Sequence, residues 1–205
     1  FQIRTGVQWQ DPAYGFVTPA DVEYSFEKLL VRDYTAGPAW SFWFPIFGTF
    51  KADLTNPVAQ GQAIDNAITR DDVAGTVTIH FQTGFAYLPF IQILAQMWGG
   101  IQSKQWCIDN GDWNPSVDKL SDGTWINAHT PATSPLDVSP FHMMGSGPFK
   151  FNYLNEYVAW SILRNTNFWG GWSTSRSSLL GLSMTTRGYL DEIVEYFIYS
   201  YATRL

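Results

Sequence analysis

The segment from Met144 to Gly171 constrains the fold most, because a glycine-proline turn is followed by two runs of alternating apolar residues. The turn is Gly145-Ser146-Gly147-Pro148, in which the glycines permit positive φ and the proline fixes the chain's entry into the next element. A period of two on each side of a short reversal predicts a β-hairpin. The alternating residues are Phe149, Phe151 and Tyr153 in the first strand and Val158, Trp160 and Ile162 in the second.

The segment Val17-Thr18-Pro19-Ala20-Asp21 predicts the start of a helix over about residues 19–31. Thr18 is a favourable N-cap, Pro19 suits the first helical position, and Asp21 completes a capping box. Apolar residues at helical spacing follow on one face. Other patterns predict a strand within residues 1–9, paired strands at 63–69 and 76–82, a helix over 86–98 and a strand over 189–201 that is internal to a sheet.

The composition indicates a folded globular protein and argues against several classes of partner. Hydrophobic residues make up 45% of the 205 residues and charged residues only 15%. The formal net charge of -6 disfavours nucleic acid as a partner, since no basic surface is present to neutralise phosphates. No apolar run is long enough to span a membrane.

The residues that usually carry catalysis or bind metals do not form a recognisable pattern. His80, His129 and His142 lack the spacing of a metal site, and the single cysteine, Cys107, excludes an internal disulfide. The adjacent acids Asp191 and Glu192 face opposite sides of a strand, so they cannot act together on one bond. Since no phosphate loop or nucleophile elbow is present either, we expect a protein that is not an enzyme and needs no metal or cofactor.

The segment Trp40-Ser41-Phe42-Trp43-Phe44 holds four aromatic rings in five residues. Such a cluster is costly to expose, and two interpretations remain open. The rings pack in the core, or they form a wall that faces a ligand.

Three blocks, in the same order as in a known family, carry a resemblance. The sequence resembles the extracytoplasmic solute-binding proteins of ABC importers, in the oligopeptide- and dipeptide-binding class known as family 5. The likeness spans most of the chain. The blocks are Phe1–Asp11, Val17–Phe26, and a third that joins Gly145–Phe151 to Leu163-Arg164-Asn165, Phe168-Trp169 and Leu190–Val194.

The resemblance implies a mixed α/β fold, namely part of one lobe of a type II periplasmic-binding-protein fold with an extra subdomain. Residues 1–32 and 141–205 would share the main sheet, and residues 33–140 would form the outer subdomain. The second lobe would be absent, so the chain would be a fragment of a protein anchored outside the cytoplasm. Such proteins close two lobes around a solute and deliver it to a membrane permease.

The resemblance also places the ligand cavity near the segment after the first helix, which gives Trp40, Ser41, Phe42 and Trp43 as candidate ligand-binding residues. The ligand would be a peptide foremost or an oligosaccharide, either of which can stack on aromatic faces. The alternative is a stand-alone, tryptophan-rich carbohydrate-binding or adhesion module, suggested by the aromatic content and the acidic charge.

Overall fold

The structure is a computed structural model. In it, the chain forms two compact units. One unit, called unit 1 below, comprises Phe1–Thr5 and Val17–Pro135, and unit 2 comprises Gly6–Phe16 and Leu136–Leu205. The first helix therefore lies in the same compact unit as residues 37–135, while the assignment of 1–32 and 141–205 to one lobe of a longer protein stays a prediction. The residues described are 1–34, 37–82, 84, 87–137, 143–172 and 190–198.

Helix α1 covers Pro19–Arg32 and confirms the predicted helix. Its start has the expected capping box, because the Asp21 carboxylate accepts a hydrogen bond from the Thr18 backbone N–H at 2.8 Å. The residue after the helix, Asp33, is its C-cap and has a left-handed φ of 33°. This turn directs the chain away from the helix axis.

Two further helices of unit 1 occupy the region that lacked a clear period. Helix α2 covers Trp40–Phe47 and helix α3 covers Pro57–Ala67. The Asn56 side chain caps α3 by accepting a hydrogen bond from the Ala59 N–H at 3.1 Å. The predicted strand over 63–69 is therefore wrong for residues 63–67, because the Asn-Pro start signal at residue 56 extends a helix through them.

The remaining elements of unit 1 are short. Strands β1 (Ile68–Asp71) and β2 (Thr76–Ile79) pair antiparallel, as expected. The predicted helix over 86–98 is reduced to α4, Phe90–Leu94, because Gln96 takes an extended backbone; Ala86 lies outside the described residues. Helix α5 covers Lys104–Asp109. The predicted strand within residues 1–9 is present only as isolated bridges, Gln2 to Thr76 in unit 1 and Gln8 to Phe16 in unit 2.

Unit 2 contains a three-stranded antiparallel sheet in the order β3-β4-β5. Strands β3 (Phe149–Asn155) and β4 (Ala159–Arg164) form the predicted hairpin. Strand β5 covers Glu192–Tyr196 and pairs with β4 alone among the described strands. In the described sheet β4 holds the central position, so β5 is not internal there; residues 189 and 199–201 of the predicted strand lie outside the described residues.

A β-bulge changes which residues of the hairpin share a face. The register shifts between Phe151 and Tyr153, so that Phe151 pairs with Ile162 and Leu154 with Trp160. The extra residue moves Tyr153 away from the face of Phe151, and Leu154 takes its place. The Gly-Ser-Gly-Pro turn needs no left-handed glycine, because Gly145 and Gly147 both have negative φ.

Candidate functional site

A cavity of unit 1 lies where α1 ends and α2 begins, and its volume is about 780 Å³. Its wall combines aromatic rings with charged side chains, and it draws them from four separate parts of the chain. The lining residues include Asp33 and Tyr34 after α1, Trp40 at the start of α2, the segment Phe50–Thr55, and His129 with Thr130.

Hydrogen bonds to backbone groups hold two of the polar lining residues in place. The Asp33 carboxylate accepts a hydrogen bond from the Ala52 N–H at 2.8 Å, which joins the end of α1 to the segment 50–55. The His129 ring nitrogen Nδ1 lies 2.8 Å from the Val31 carbonyl oxygen. Because a carbonyl can only accept, Nδ1 donates in this hydrogen bond.

The aromatic part of the wall is accessible. The Trp40 side chain is 55% exposed and Phe50 is 62% exposed. Phe50 is held from behind by Phe44, whose ring stacks on it at a centroid distance of 5.0 Å. Exposed rings of this kind can stack on the apolar face of a ligand.

The charged groups at the cavity have different surroundings. The hydroxyl and the backbone N–H of Thr55 both donate to Asp53, and these bonds hold the pKa of its carboxyl below the ordinary value. Lys51 is exposed and adds a cation beside the two carboxylates. The wall therefore offers acceptors, a cationic donor and flat apolar surfaces to one ligand.

The four residues predicted to bind ligand have different positions in the structure. Trp40 lines the cavity. Ser41 is buried, and its hydroxyl donates to the Pro38 carbonyl oxygen at 2.7 Å. Phe42 and Trp43 are fully buried. Phe42 packs against Phe26 and Phe90, so core packing describes these two rings, and ligand contact by the four residues stays a prediction.

Sequence reasoning did not identify Asp33, His129 or the segment 50–55 as neighbours of Trp40. The sequence does hold a signal for Asp33, because its position directly after the predicted helix places it at the turn that follows the helix. For His129 none exists, because only the fold brings it next to the last turn of α1. His80 lies elsewhere, 3.3 Å from the Thr69 hydroxyl, and His142 lies outside the described residues.

A second charged cluster in unit 1 is buried and does not line the cavity. Asp112 forms ion pairs with Lys28, at 2.5 Å, and with Arg32. Although burial opposes ionisation, the two cations hold the pKa of the Asp112 carboxyl below its ordinary value. Cys107 is fully buried beside Lys28, and burial raises the pKa of its thiol, which fits a packing role. The cluster ties α1 to the segment 107–113.

A comparison with protein families identifies the chain. The family of bacterial extracellular solute-binding proteins, family 5 (the middle region), matches residues 1–205. The chain belongs to this family. A search of curated proteins gives no match.

Solved structures of longer binding proteins resemble the chain in fold. The substrate-binding domain of an oligopeptide ABC transporter from Bacillus anthracis has 18% sequence identity and a TM-score of 0.57 over 99% of this chain. MoaA from A. tumefaciens R10, solved with mannopinic acid, has 20% identity and a TM-score of 0.53 over 100%. A dipeptide-binding protein from Pseudoalteromonas sp. SM9913, solved with Met-Leu, has 16% identity and a TM-score of 0.53 over 100%.

These likenesses establish the fold. The predicted mixed α/β class is confirmed, and the chain adopts part of a periplasmic-binding-protein fold. It covers 30%, 28% and 32% of the three longer chains, respectively. Among the described residues, no helix is long and apolar enough to cross a membrane.

Proposed function

We propose that the protein containing this chain captures an extracellular solute and delivers it to the membrane permease of an ABC importer. The observation that carries the proposal is the family match over residues 1–205, since the family is one of extracellular solute-binding proteins. Binding followed by closure around the solute would be the mechanism. The protein would act outside the cytoplasm.

A peptide is the solute class that we favour. Among the similar structures, two are described as an oligopeptide transporter domain and a dipeptide-binding protein. The cavity at Trp40 suits such a ligand chemically, because it combines Asp33, Asp53 and Lys51 with exposed rings. Carboxylates can accept from a peptide's amine, and rings can stack on its side chains.

Within this cavity we assign direct solute contact to Trp40. Its ring is exposed at the wall, whereas Ser41, Phe42 and Trp43 are buried behind it. The buried residues would hold the start of α2 in place and so fix the orientation of the Trp40 ring. Of the four residues predicted from the sequence, one would contact the solute and three would support it.

The rival hypothesis is a stand-alone carbohydrate-binding or adhesion module. The comparisons favour the importer component, because a family of solute-binding proteins matches the whole chain and the similar chains are about three times longer. An oligosaccharide remains a second solute class for the importer component. The similar protein solved with mannopinic acid shows that a ligand other than a peptide occurs on this fold.

Native mass spectrometry of the full-length protein, purified without denaturation, tests the proposal. We expect a co-purified small molecule, or binding of a member of a panel of di-, tri- and pentapeptides in a thermal-shift screen. A panel of oligosaccharides is the matched comparison. Binding of oligosaccharides alone would overturn the peptide assignment, and binding of neither panel, with no co-purified solute, would overturn solute capture itself.

A further inference from the structure

A second cavity of unit 1 is lined mainly by charged side chains and has a volume of about 280 Å³. It lies beside α1, which contributes Glu23 and Glu27. The other charged lining residues are Asp65 from α3, Lys104 from α5, and Lys119. We call this cavity the Glu27 cleft.

Glu27 is the residue that makes the cleft unusual. Its side chain lines the cleft but the residue is only 6% exposed. Among the described residues, no hydrogen-bond donor or ion-pair partner contacts its carboxyl group. Glu23, by contrast, is ion-paired to Arg70, which also bonds Asp72 at 3.1 Å.

A largely buried carboxyl group without a protein donor is costly, because it has lost most of its water and gained no protein group in replacement. Desolvation, together with the nearby carboxylates of Glu23 and Asp65, raises the pKa of Glu27 to about 9. Lys104 and Arg70 oppose these effects without reversing them. When Glu27 is ionised, three carboxylates and two lysines line the cleft, so one further cation that can donate hydrogen bonds would balance the charge.

We propose that the Glu27 cleft binds the primary ammonium group of a small molecule, ion-paired to Glu27. An ammonium group supplies three donors and one positive charge, and Glu23 and Asp65 offer further acceptors in the same cleft. The site is separate from the cavity at Trp40, so this proposal does not depend on solute capture there.

Two other ligand classes fit the cleft less well. A metal ion would need several ligands in a suitable arrangement, and no group of three or more His, Cys, Asp or Glu residues that could hold one occurs in the described part of the chain. An anion would face the carboxylates of Glu23 and Asp65 and would gain no ion pair from Glu27. Lys119 is exposed and Lys104 only half-buried, so the cations stand at the more solvated positions.

The test titrates the full-length protein with methylammonium chloride or tetramethylammonium chloride at matched ionic strength, and follows binding by NMR chemical shifts. Both ions carry one charge, but only methylammonium donates hydrogen bonds. We expect methylammonium to bind and tetramethylammonium to bind at least about tenfold more weakly. Nα-acetyl-lysine amide, which carries the same primary ammonium group on a longer chain, is the third ligand, and absence of binding by both primary ammonium ions would overturn the assignment.

The variant Glu27→Gln keeps the shape of the side chain and removes its charge. It should weaken methylammonium binding by about tenfold or more, since a charge-assisted hydrogen bond becomes a neutral one. Asp72→Asn, whose side chain lies outside the cleft, is the control and should bind as the parent does. Equal affinity in Glu27→Gln and the parent would overturn the proposal.

Lys104→Met tests whether the protein's own lysine fills the role instead. We expect this variant to bind methylammonium as well as the parent or more tightly. Binding that appears only in Lys104→Met would show that Lys104 itself neutralises Glu27, and the proposal would be wrong. Raising the pH from 7 to 8 should tighten methylammonium binding by up to about tenfold, because Glu27 must lose its proton to form the pair.

Discussion

Unit 1 and unit 2 bury their side chains in different ways. In unit 1, Trp43 and Trp125 are fully buried, and the charges of Lys28, Arg32 and Asp112 are paired inside. In unit 2, the outer strand β5 is largely exposed, as its Tyr196 shows at 66%. We infer that single buried side chains decide the stability of unit 1, whereas the described sheet of unit 2 depends more on its backbone ladder.

The largest expected effect tests this inference in the aromatic core of unit 1. Trp43→Ala should cost about 4 kcal/mol of unfolding free energy, because a large buried ring leaves a cavity. Trp40→Ala, the neighbouring exposed tryptophan, should cost less than about 1 kcal/mol. Urea unfolding of the full-length protein followed by circular dichroism measures both. Equal costs would show that the burial contrast within α2 does not govern stability.

The buried ion cluster is the next test. Asp112→Asn should cost about 3 kcal/mol, since it leaves Lys28 and Arg32 buried without an anion. Asp122→Asn is the matched control, because Asp122 is exposed and only holds Thr124. The same urea titration compares them. If Asp112→Asn cost no more than the control, Lys28 and Arg32 would be readily hydrated without their anion, which would contradict this prediction.

The stability of unit 1 should depend on pH through Glu27, and a neutral side chain at this position should remove that dependence. Its pKa in the folded state is about 9 against an ordinary 4.5, so the folded state holds a proton that the unfolded state releases. The stability from this proton is present below about pH 4.5 and is lost as the pH rises toward 9.

Glu27→Gln should therefore be more stable than the parent by about 3 kcal/mol at pH 7, with the difference vanishing near pH 4.5. Thermal unfolding across this pH range, in buffer free of amines, measures the difference. A difference that does not change with pH would contradict the raised pKa.

The smallest effect concerns the turn that begins the sheet of unit 2. Asn165 is buried, and its side-chain amide donates to the Gly147 carbonyl oxygen at 2.8 Å. Asn165→Ala should cost about 1 to 2 kcal/mol, because that carbonyl loses its donor. Hydrogen exchange at the amides of β3 reports the loss locally. Asn167→Ala, at an exposed position, is the control, and similar exchange in both variants would contradict the role of Asn165.

Local signals in the sequence predicted the elements whose start and period are explicit. Thr18, Pro19 and Asp21 predicted α1, and the alternation after Pro148 predicted the hairpin. Local signals were insufficient where a helix start is followed by residues whose pattern favours a strand. Asn56 and Pro57 start α3, yet the pattern of residues 63–69 alone predicts a strand.

Tertiary structure supplied what local patterns could not. The bulge at Asn152 exchanges Tyr153 for Leu154 on one face, and nothing in the alternation of the strand predicts an inserted residue. Likewise, the fold brings Asp33, Ala52 and His129 to the wall of one cavity, although they are far apart in sequence. The aromatic cluster includes one ring that lines the cavity, but only the fold separates Trp40 from the buried Phe42 and Trp43.

The most direct test of the central claim is the affinity of the full-length variant Trp40→Ala for the tightest-binding peptide of the panel, measured by isothermal titration calorimetry. The account predicts a loss of about tenfold or more, since stacking on an exposed ring is removed, with little change in stability. Trp169→Ala, an exposed tryptophan of unit 2, should bind as the parent does. An unchanged affinity in Trp40→Ala would contradict solute binding at this cavity.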